Sequence, residues 1–255
     1  MLGFKNTAAL LSLLVASTCA APTNLAALDK RAPQVLAGGS SVVVGTLPDW
    51  GLIFRTSGYL AKGDCPVSSG ITTCYATKLS SNPGENLDPN AATNPNSQSS
   101  FVSTGPQDAN GSITKYTFKL SLDSSLQTPS SSPFPLVQIV SKEPVDDQGY
   151  ATNVYLDLRN NEAGIYAFSD TPVVSVPLSS LTGRNLLQTW TIMGGPGGWA
   201  DIEISDADTS SSILKYHVDK ANSRDSYRLR VGPIRSVDQA SPYIAYLGDW
   251  DTQLL

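Results

Sequence analysis

The sequence predicts an all-β chain folded as a single-domain jelly roll, a sandwich of two sheets. Three observations predict it. The informative segments alternate apolar and polar residues with a period of two, as half-buried strands do. Helical periodicity is nearly absent. Turn-forming clusters ("DDQGY", "RNNEAG", "GGPGGW", "ANSRDS") punctuate many short strands, the spacing expected of a sandwich rather than of α/β units.

From the N-terminus, Lys5 precedes the apolar run "AALLSLLVAS" and the small residues "TCAAP". This is the layout of a secretory signal peptide over residues 1–20. The run is shorter than the ~20 residues that span a bilayer, so a cleaved signal and a secreted, extracellular protein are expected. "LDKRAPQ" follows. Its Lys30-Arg31 pair resembles the dibasic site cut by kexin-type processing proteases of fungi, which makes 21–31 a propeptide and 32–255 the jelly-roll domain. An accidental dibasic pair in a flexible segment is the alternative. "PDWGLIF" and the late "YIAYLGDW" both read as buried strands, expected close together in one sheet. Cys65 and Cys74 close a short loop containing Pro and Gly. An even pair in an exported chain reads as a disulfide. Residues 80–112, rich in Asn, Ser and Pro, read as a long surface loop, and Asn110 in "NGS" as a glycosylation acceptor. "KYTFKLSL" sets Tyr116, Phe118, Leu120 and Leu122 against Lys115, Thr117, Lys119 and Ser121. "NVYLDLR" sets Val154, Leu156 and Leu158 against Asn153, Tyr155, Asp157 and Arg159. "WADIEIS", "ILKYHV" and "YRLRV" behave alike.

The formal net charge is −5, from 17 Lys and Arg against 22 Asp and Glu. Without residues 1–31 the balance is 14 against 21, or −7. Non-specific binding to nucleic acid needs clustered basic residues in excess, so nucleic acid is not an expected partner, and no later stretch is apolar enough for a membrane helix. The remaining residues, about 220, suffice for one good core, and a monomer is expected. A single histidine and the lack of a Gly-x-Ser-x-Gly elbow argue against serine hydrolase chemistry. No phosphate loop or dinucleotide fingerprint is present, and no cofactor or metal is expected.

In a jelly roll one sheet is curved, and its concave face is a common binding cleft. If the polar faces of several strands line that cleft, its residues are Lys115, Lys119, Gln138, Tyr155, Arg159, Lys215, His217, Arg228 and Arg230. That set is basic in an acidic chain. A cleft of one sign attracts a ligand of the other, and arginine forks pair well with carboxylates. The plainer alternative is that each strand turns its polar side to water.

"PLVQIVS", followed much later by "YRLRVGPIRS", resembles the arrangement in jelly-roll polysaccharide lyases of the alginate- and glucuronan-lyase type. Those enzymes carry a Gln-Ile-His strand and, near the C-terminus, a strand of Lys-Ala-Gly-x-Tyr character. The resemblance covers about 113–250 and implies a concanavalin-like sandwich acting on a polyuronate. β-Elimination there requires neutralising the uronate carboxylate, a base for the C5 proton and an acid for the leaving oxygen. Carried over by position, Gln138 matches the family Gln and Arg230 the Lys, with Arg228, Arg159 and Lys119 as further substrate-binding groups. Val140 stands where the family has its His, and Ile234 where it has its Tyr. Neither can move a proton, so His217 becomes the replacement base and Tyr227 or Tyr155 the acid.

Three readings follow: a divergent lyase, a carbohydrate-binding protein on a lyase fold, and a secreted structural or effector-like protein without a sugar ligand. A glycosidase needs two carboxylates across the scissile bond. "ADIEISDAD" offers Asp201 and Glu203, but Ser205 stands where an acid/base would be needed. The same segment, with Asp206 and Asp208, has oxygen ligands suited to calcium; an Asp-rich solvated turn is the commoner explanation.

Overall fold

A computed structural model describes residues 32–82, 84–88, 96–103, 111–141, 152–222 and 227–255. The expected signal peptide, propeptide and Asn110 lie outside the described residues. In chain order the strands are β1 (Gln34–Gly38), β2 (Val43–Thr46), β3 (Ile53–Thr56), β4 (Tyr59–Lys62), β5 (Cys74–Leu79), β6 (Asn96–Val102), β7 (Ile113–Leu122), β8 (Pro135–Ser141) and β9 (Thr152–Arg159). They continue as β10 (Glu162–Ala167), β11 (Pro172–Pro177), β12 (Asn185–Met193), β13 (Gly198–Asp206), β14 (Ser212–Asn222), β15 (Tyr227–Val231), β16 (Ile234–Ser236) and β17 (Tyr243–Leu254).

These strands make two antiparallel sheets. The eight-stranded sheet runs β1-β4-β5-β17-β7-β12-β13-β14, and the nine-stranded sheet runs β11-β10-β9-β8-β15-β6-β3-β2, with β16 also paired to β6. Period-two alternation builds the sandwich directly. Tyr116, Phe118, Leu120 and Leu122 of β7 and Leu186, Trp190 and Ile192 of β12 face inward from one sheet. Val154, Leu156 and Leu158 of β9 and Val137 and Ile139 of β8 meet them from the other. Burying each such side chain stabilises the fold by roughly 1.5–3 kcal/mol. Gln188 is fully buried among them and accepts a 3.1 Å hydrogen bond from the Trp190 indole, which offsets part of the cost of its burial. Cys65 and Cys74 are bonded, as their spacing suggested.

Two expectations are corrected. "PDWGLIF" ends in β3 of the nine-stranded sheet, whereas "YIAYLGDW" opens β17 of the other, so they do not share a sheet. β17 is inserted between β5 and β7 and satisfies its backbone on both sides there. The stretch 80–112 is not simply a loop, because it contains β6, "NSQSSFV", an interior strand paired to β3, β15 and β16. Its serines are small rather than solvated. Ser97 and Ser99 are fully buried. Ser97 accepts a 2.9 Å hydrogen bond from buried Arg235. Gly232 lies so close over Ser99 that a Cβ there would come within 2.0 Å of the Ser99 carbonyl oxygen. Gly232 also has a φ of 107°, a backbone conformation open to glycine.

Candidate functional site

The two outer faces of the sandwich differ. On the eight-stranded sheet the outward residues of β7 are half-buried, and those of β13 and β14 run from half-buried to exposed. On the nine-stranded sheet several residues facing away from the core on β8, β9 and β15 are enclosed: Gln138 is 7% exposed, Arg159 and Arg230 9% each, and Asp157 0%. Polar groups withdrawn from water on a sheet's outer face need partners.

Antiparallel register shows which of these side chains share the face, since directly opposed residues point the same way. Gln138 is opposite Tyr155 on one side and Arg230 on the other. Tyr155 is opposite Tyr166, and Val140 is opposite Arg228. Arg230 is opposite Val102, and Ile234 opposite Gln98 four residues away on β6. Across β6, β15, β8 and β9 this face carries Arg159, Arg228 and Arg230 against one carboxylate, Asp157.

Tyr155, Tyr166, Arg159 and Asp157 form one rigid group. The tyrosine rings stack at 5.3 Å with 7° between planes, and the Arg159 guanidinium lies 4.2 Å from the Tyr166 ring centre. Arg159 donates to the Asp157 carboxylate at 2.8 Å, and the Phe134 amide donates to the other oxygen at 2.8 Å. Gly164 makes room for the stack; a Cβ there would meet Pro172 Cβ at 2.8 Å and Tyr166 Cε2 at 3.1 Å. Burial pushes the Asp157 carboxyl up, with Arg159 and the Phe134 amide holding it back. Burial also raises both phenols, Tyr155 against the pull of Arg159 and Tyr166 likewise. Both phenols stay protonated at neutral pH, and Tyr155 accepts from the Arg159 guanidinium. Farther along, Arg55 grips Asp88 with two hydrogen bonds, at 2.6 and 2.8 Å, and Gln98 donates to the same carboxylate.

The structure therefore brings together Gln138, Arg228, Arg230, Arg159 and Tyr155. It separates three other candidates from them. His217 is on the outer face of the eight-stranded sheet, 52% exposed, between Asp201 at 2.8 Å and Asp219 at 3.3 Å. Those two hydrogen bonds raise its pKa. It cannot reach a ligand on Gln138 and Arg230. Lys119 is on that same wrong sheet and is held by the Gly70 carbonyl at 2.7 Å and by Asp249 at 3.0 Å. Tyr227 does belong to β15, but its side chain turns into the core and its hydroxyl donates to the Ile192 carbonyl at 2.7 Å, tying one sheet to the other. For His217 and Lys119 the physical reason is shared: alternation assigns a side chain to a polar or an apolar face and does not say which sheet that face belongs to; Tyr227 instead lies on the core side of its own strand. Lys115 and Lys215 also belong to the eight-stranded sheet, where Lys215 pairs with Glu203 at 3.1 Å. Asp201 and Glu203 are thus engaged by His217 and Lys215 rather than set across a cleft. Among the described residues no group of three or more His, Cys, Asp or Glu is placed to hold a metal.

Tyr166, Asp88, Gln98 and Arg55 were not singled out from the sequence. Asp157 was legible as the residue between Tyr155 and Arg159 on one strand face. Tyr166 carried no alternation signal, because both faces of "EAGIYA" are buried around its centre.

The fold class these observations define is the jelly roll, the fold also of a glucuronan lyase. Among solved structures, the endo-β-1,4-glucuronan lyase from the fungus Trichoderma reesei matches with a TM-score of 0.54 and 14% sequence identity, over 85% of this chain and 95% of that chain. The alginate lyase from Corynebacterium sp. matches with a TM-score of 0.48 and 11% identity over 71% and 77%. Lectin II from Ulex europaeus matches with 0.47 and 8% over 84% and 98%. No protein-family model and no curated protein matches the sequence. At these identities the likeness is one of fold.

Proposed function

We propose that this chain is a secreted protein that recognises an acidic cell-wall polysaccharide, a polyuronate, on the outer face of its nine-stranded sheet, without cutting it. One observation carries the reading: Arg228, Arg230 and Gln138 share the enclosed face with Val140 and Ile234. The groups suited to holding a uronate carboxylate are retained, and the positions where the lyase resemblance asks for proton-transfer groups are apolar. Arginine forks match carboxylate geometry, and the rigid Tyr155–Tyr166–Arg159 group borders them with ring surface and fixed donors. Among the described residues of this face no group is placed to accept the C5 proton: both phenols are raised, Asp157 is held by Arg159 and Asp88 by Arg55, and His217 is on the other sheet.

The divergent-lyase reading has one supporting observation, Tyr155 directly opposite Gln138 with a protonated phenol able to serve as an acid. One experiment separates the two. The protein is incubated with polyglucuronate, polymannuronate and polyguluronate while ultraviolet absorbance of unsaturated sugar ends and retention on the immobilised polymers are followed. Retention without absorbance is expected. Absorbance that grows with time and is lost in Tyr155→Phe would establish the lyase instead. Neither absorbance nor retention on any polyuronate would sink both.

A further inference from the structure

A cavity of about 370 Å³ opens on the other sheet, where β7, β12 and β17 end. Its lining includes Asp123, Arg184, Asn185, Asp206, Asp208 and Tyr246. One wall is the loop closed by the Cys65–Cys74 disulfide, through Pro66, Ser68 and Ser69. Asn185 ties that wall to the opposite one: its Nδ2 donates to the Ser68 carbonyl at 2.9 Å and to Asp208 at 3.1 Å.

The carboxylates of this cavity are not equivalent. Asp206 is satisfied by Arg184 at 3.1 Å and by the amides of Asp208 and Thr209 at 3.0 and 2.9 Å. Among the described residues Asp123 accepts from the hydroxyl and amide of Ser125, at 2.6 and 2.9 Å, and Asp208 accepts from Asn185. Neither forms an ion pair among the described residues. Among the described residues Arg184 is the one cation in the lining and is paired with Asp206, so Asp123 and Asp208 have no cationic partner there. Ser69, 3% exposed, also lines the cavity, and its hydroxyl has no hydrogen-bond partner among the described residues. That oxygen is itself closed to solvent, so a ligand in the cavity is held by the carboxylates rather than by it.

We propose that this cavity binds a protonated amino sugar, a glucosamine residue of a de-acetylated oligosaccharide. A ligand for it must donate hydrogen bonds to carboxylate oxygens, carry positive charge between Asp123 and Asp208, and lay a flat apolar face against the half-buried Tyr246 ring. A pyranose with an ammonium group meets all three demands. The volume falls at the lower end of the range for small-molecule pockets, roughly 300–1,000 Å³, enough for one or two sugar rings. A bare divalent cation fits less well, since the carboxylates are not gathered into a metal-ligating group. A uronate is repelled. The inference is independent of polyuronate recognition, which uses the opposite sheet.

Three two-ring ligands on the same β-1,4 frame test it: the glucosamine dimer, its N-acetylated counterpart and cellobiose, which differ at C2 by ammonium, acetamide and hydroxyl. Calorimetric titration of the full chain at mildly acidic pH is expected to show the glucosamine dimer binding at least about tenfold tighter than either neutral ligand. Asp208→Asn and Asp123→Asn are each expected to weaken it about tenfold, the scale of one charge-assisted hydrogen bond. Melting temperatures verify that the variants fold, and the comparison of ligands on the unaltered protein needs no variant. Equal affinity for cellobiose, or affinity that survives the double variant, would overturn the proposal. So would calcium binding with the same sensitivity to both substitutions.

Discussion

Replacing Arg230 by alanine tests whether the enclosed face holds carboxylates. Arg230 is 9% exposed and opposed by Gln138 on β8. A uronate carboxylate docked about 4 Å from its guanidinium interacts with it by about 4 kcal/mol at an effective dielectric constant of 20. Desolvation takes back part of that, so the charge-assisted hydrogen bonds contribute about 1.5–3 kcal/mol net. Arg230→Ala should therefore weaken polyuronate binding about 10- to 150-fold. The assay is calorimetric titration with a uronate oligomer, repeated at rising salt. The control is Lys215→Ala, which removes the same formal charge from an exposed position on the opposite sheet. Lys215→Ala should change affinity little, and what it changes should vanish as salt shortens the screening length below about 10 Å. Equal losses in both variants would mean that net charge, not this face, attracts the polymer. Unchanged affinity in Arg230→Ala would refute the site itself.

Three further outcomes follow from the same geometry. Asp157→Asn leaves Arg159 a nearly buried cation without its 2.8 Å carboxylate, and the denaturation midpoint should fall by the equivalent of about 3 kcal/mol, the lower part of the range for breaking buried pairs. Removing the disulfide with Cys65→Ser and Cys74→Ser releases a short loop whose closure stabilises the fold by roughly 2–3 kcal/mol; chemical denaturation measures it, and polyuronate retention should persist. His217 has its pKa raised from 6.5 by Asp201 first and Asp219 second. A raised folded-state pKa stabilises fully below the unfolded value and loses that contribution as pH rises through the folded one. His217→Ala should therefore lower the melting temperature slightly near pH 5 and not near pH 9, with polyuronate binding unchanged at either pH.

Much of the fold was legible because alternation is a local property. "KYTFKLSL" and "NVYLDLR" contain their own inside and outside, and β7 and β9 follow them residue by residue. β6 was hidden because its signal is not local. Ser97 and Ser99 are suited to a strand interior only because Arg235 and Gly232 approach them from a segment more than a hundred residues later. The site was half legible for a related reason. Gln138, Arg228 and Arg230 were found together because β8 and β15 are direct neighbours, so similar strand faces meant the same sheet face. His217 and Lys119 have the same alternating context, but their strands joined the other sheet. Tyr227 was offered as an acid although it alternates with Arg228 and shares the inward side of Leu229 and Val231; its aromatic ring follows that alternation into the core.

The valine at position 140 is built into the packing and does not border an unfilled gap. Val140 is fully buried, opposite half-buried Arg228, although it stands on the face that carries Gln138 and Arg230. An imidazole there is larger than the isopropyl group it replaces, and enlarging a packed position costs about 1–3 kcal/mol. It would also sit beside Arg228 and Arg230, whose charge and the surrounding burial both favour the neutral ring. Val140→His should therefore lower the denaturation midpoint by that amount and weaken polyuronate binding by displacing Arg228, without supplying β-elimination on its own, since Ile234 still stands opposite Gln98 where an acid is needed. Denaturant titration and polymer retention measured on the same preparation check both effects. An unchanged midpoint together with unchanged retention would mean that Val140 borders space large enough for a ring, and the packing argument for a binding protein rather than an enzyme would fail.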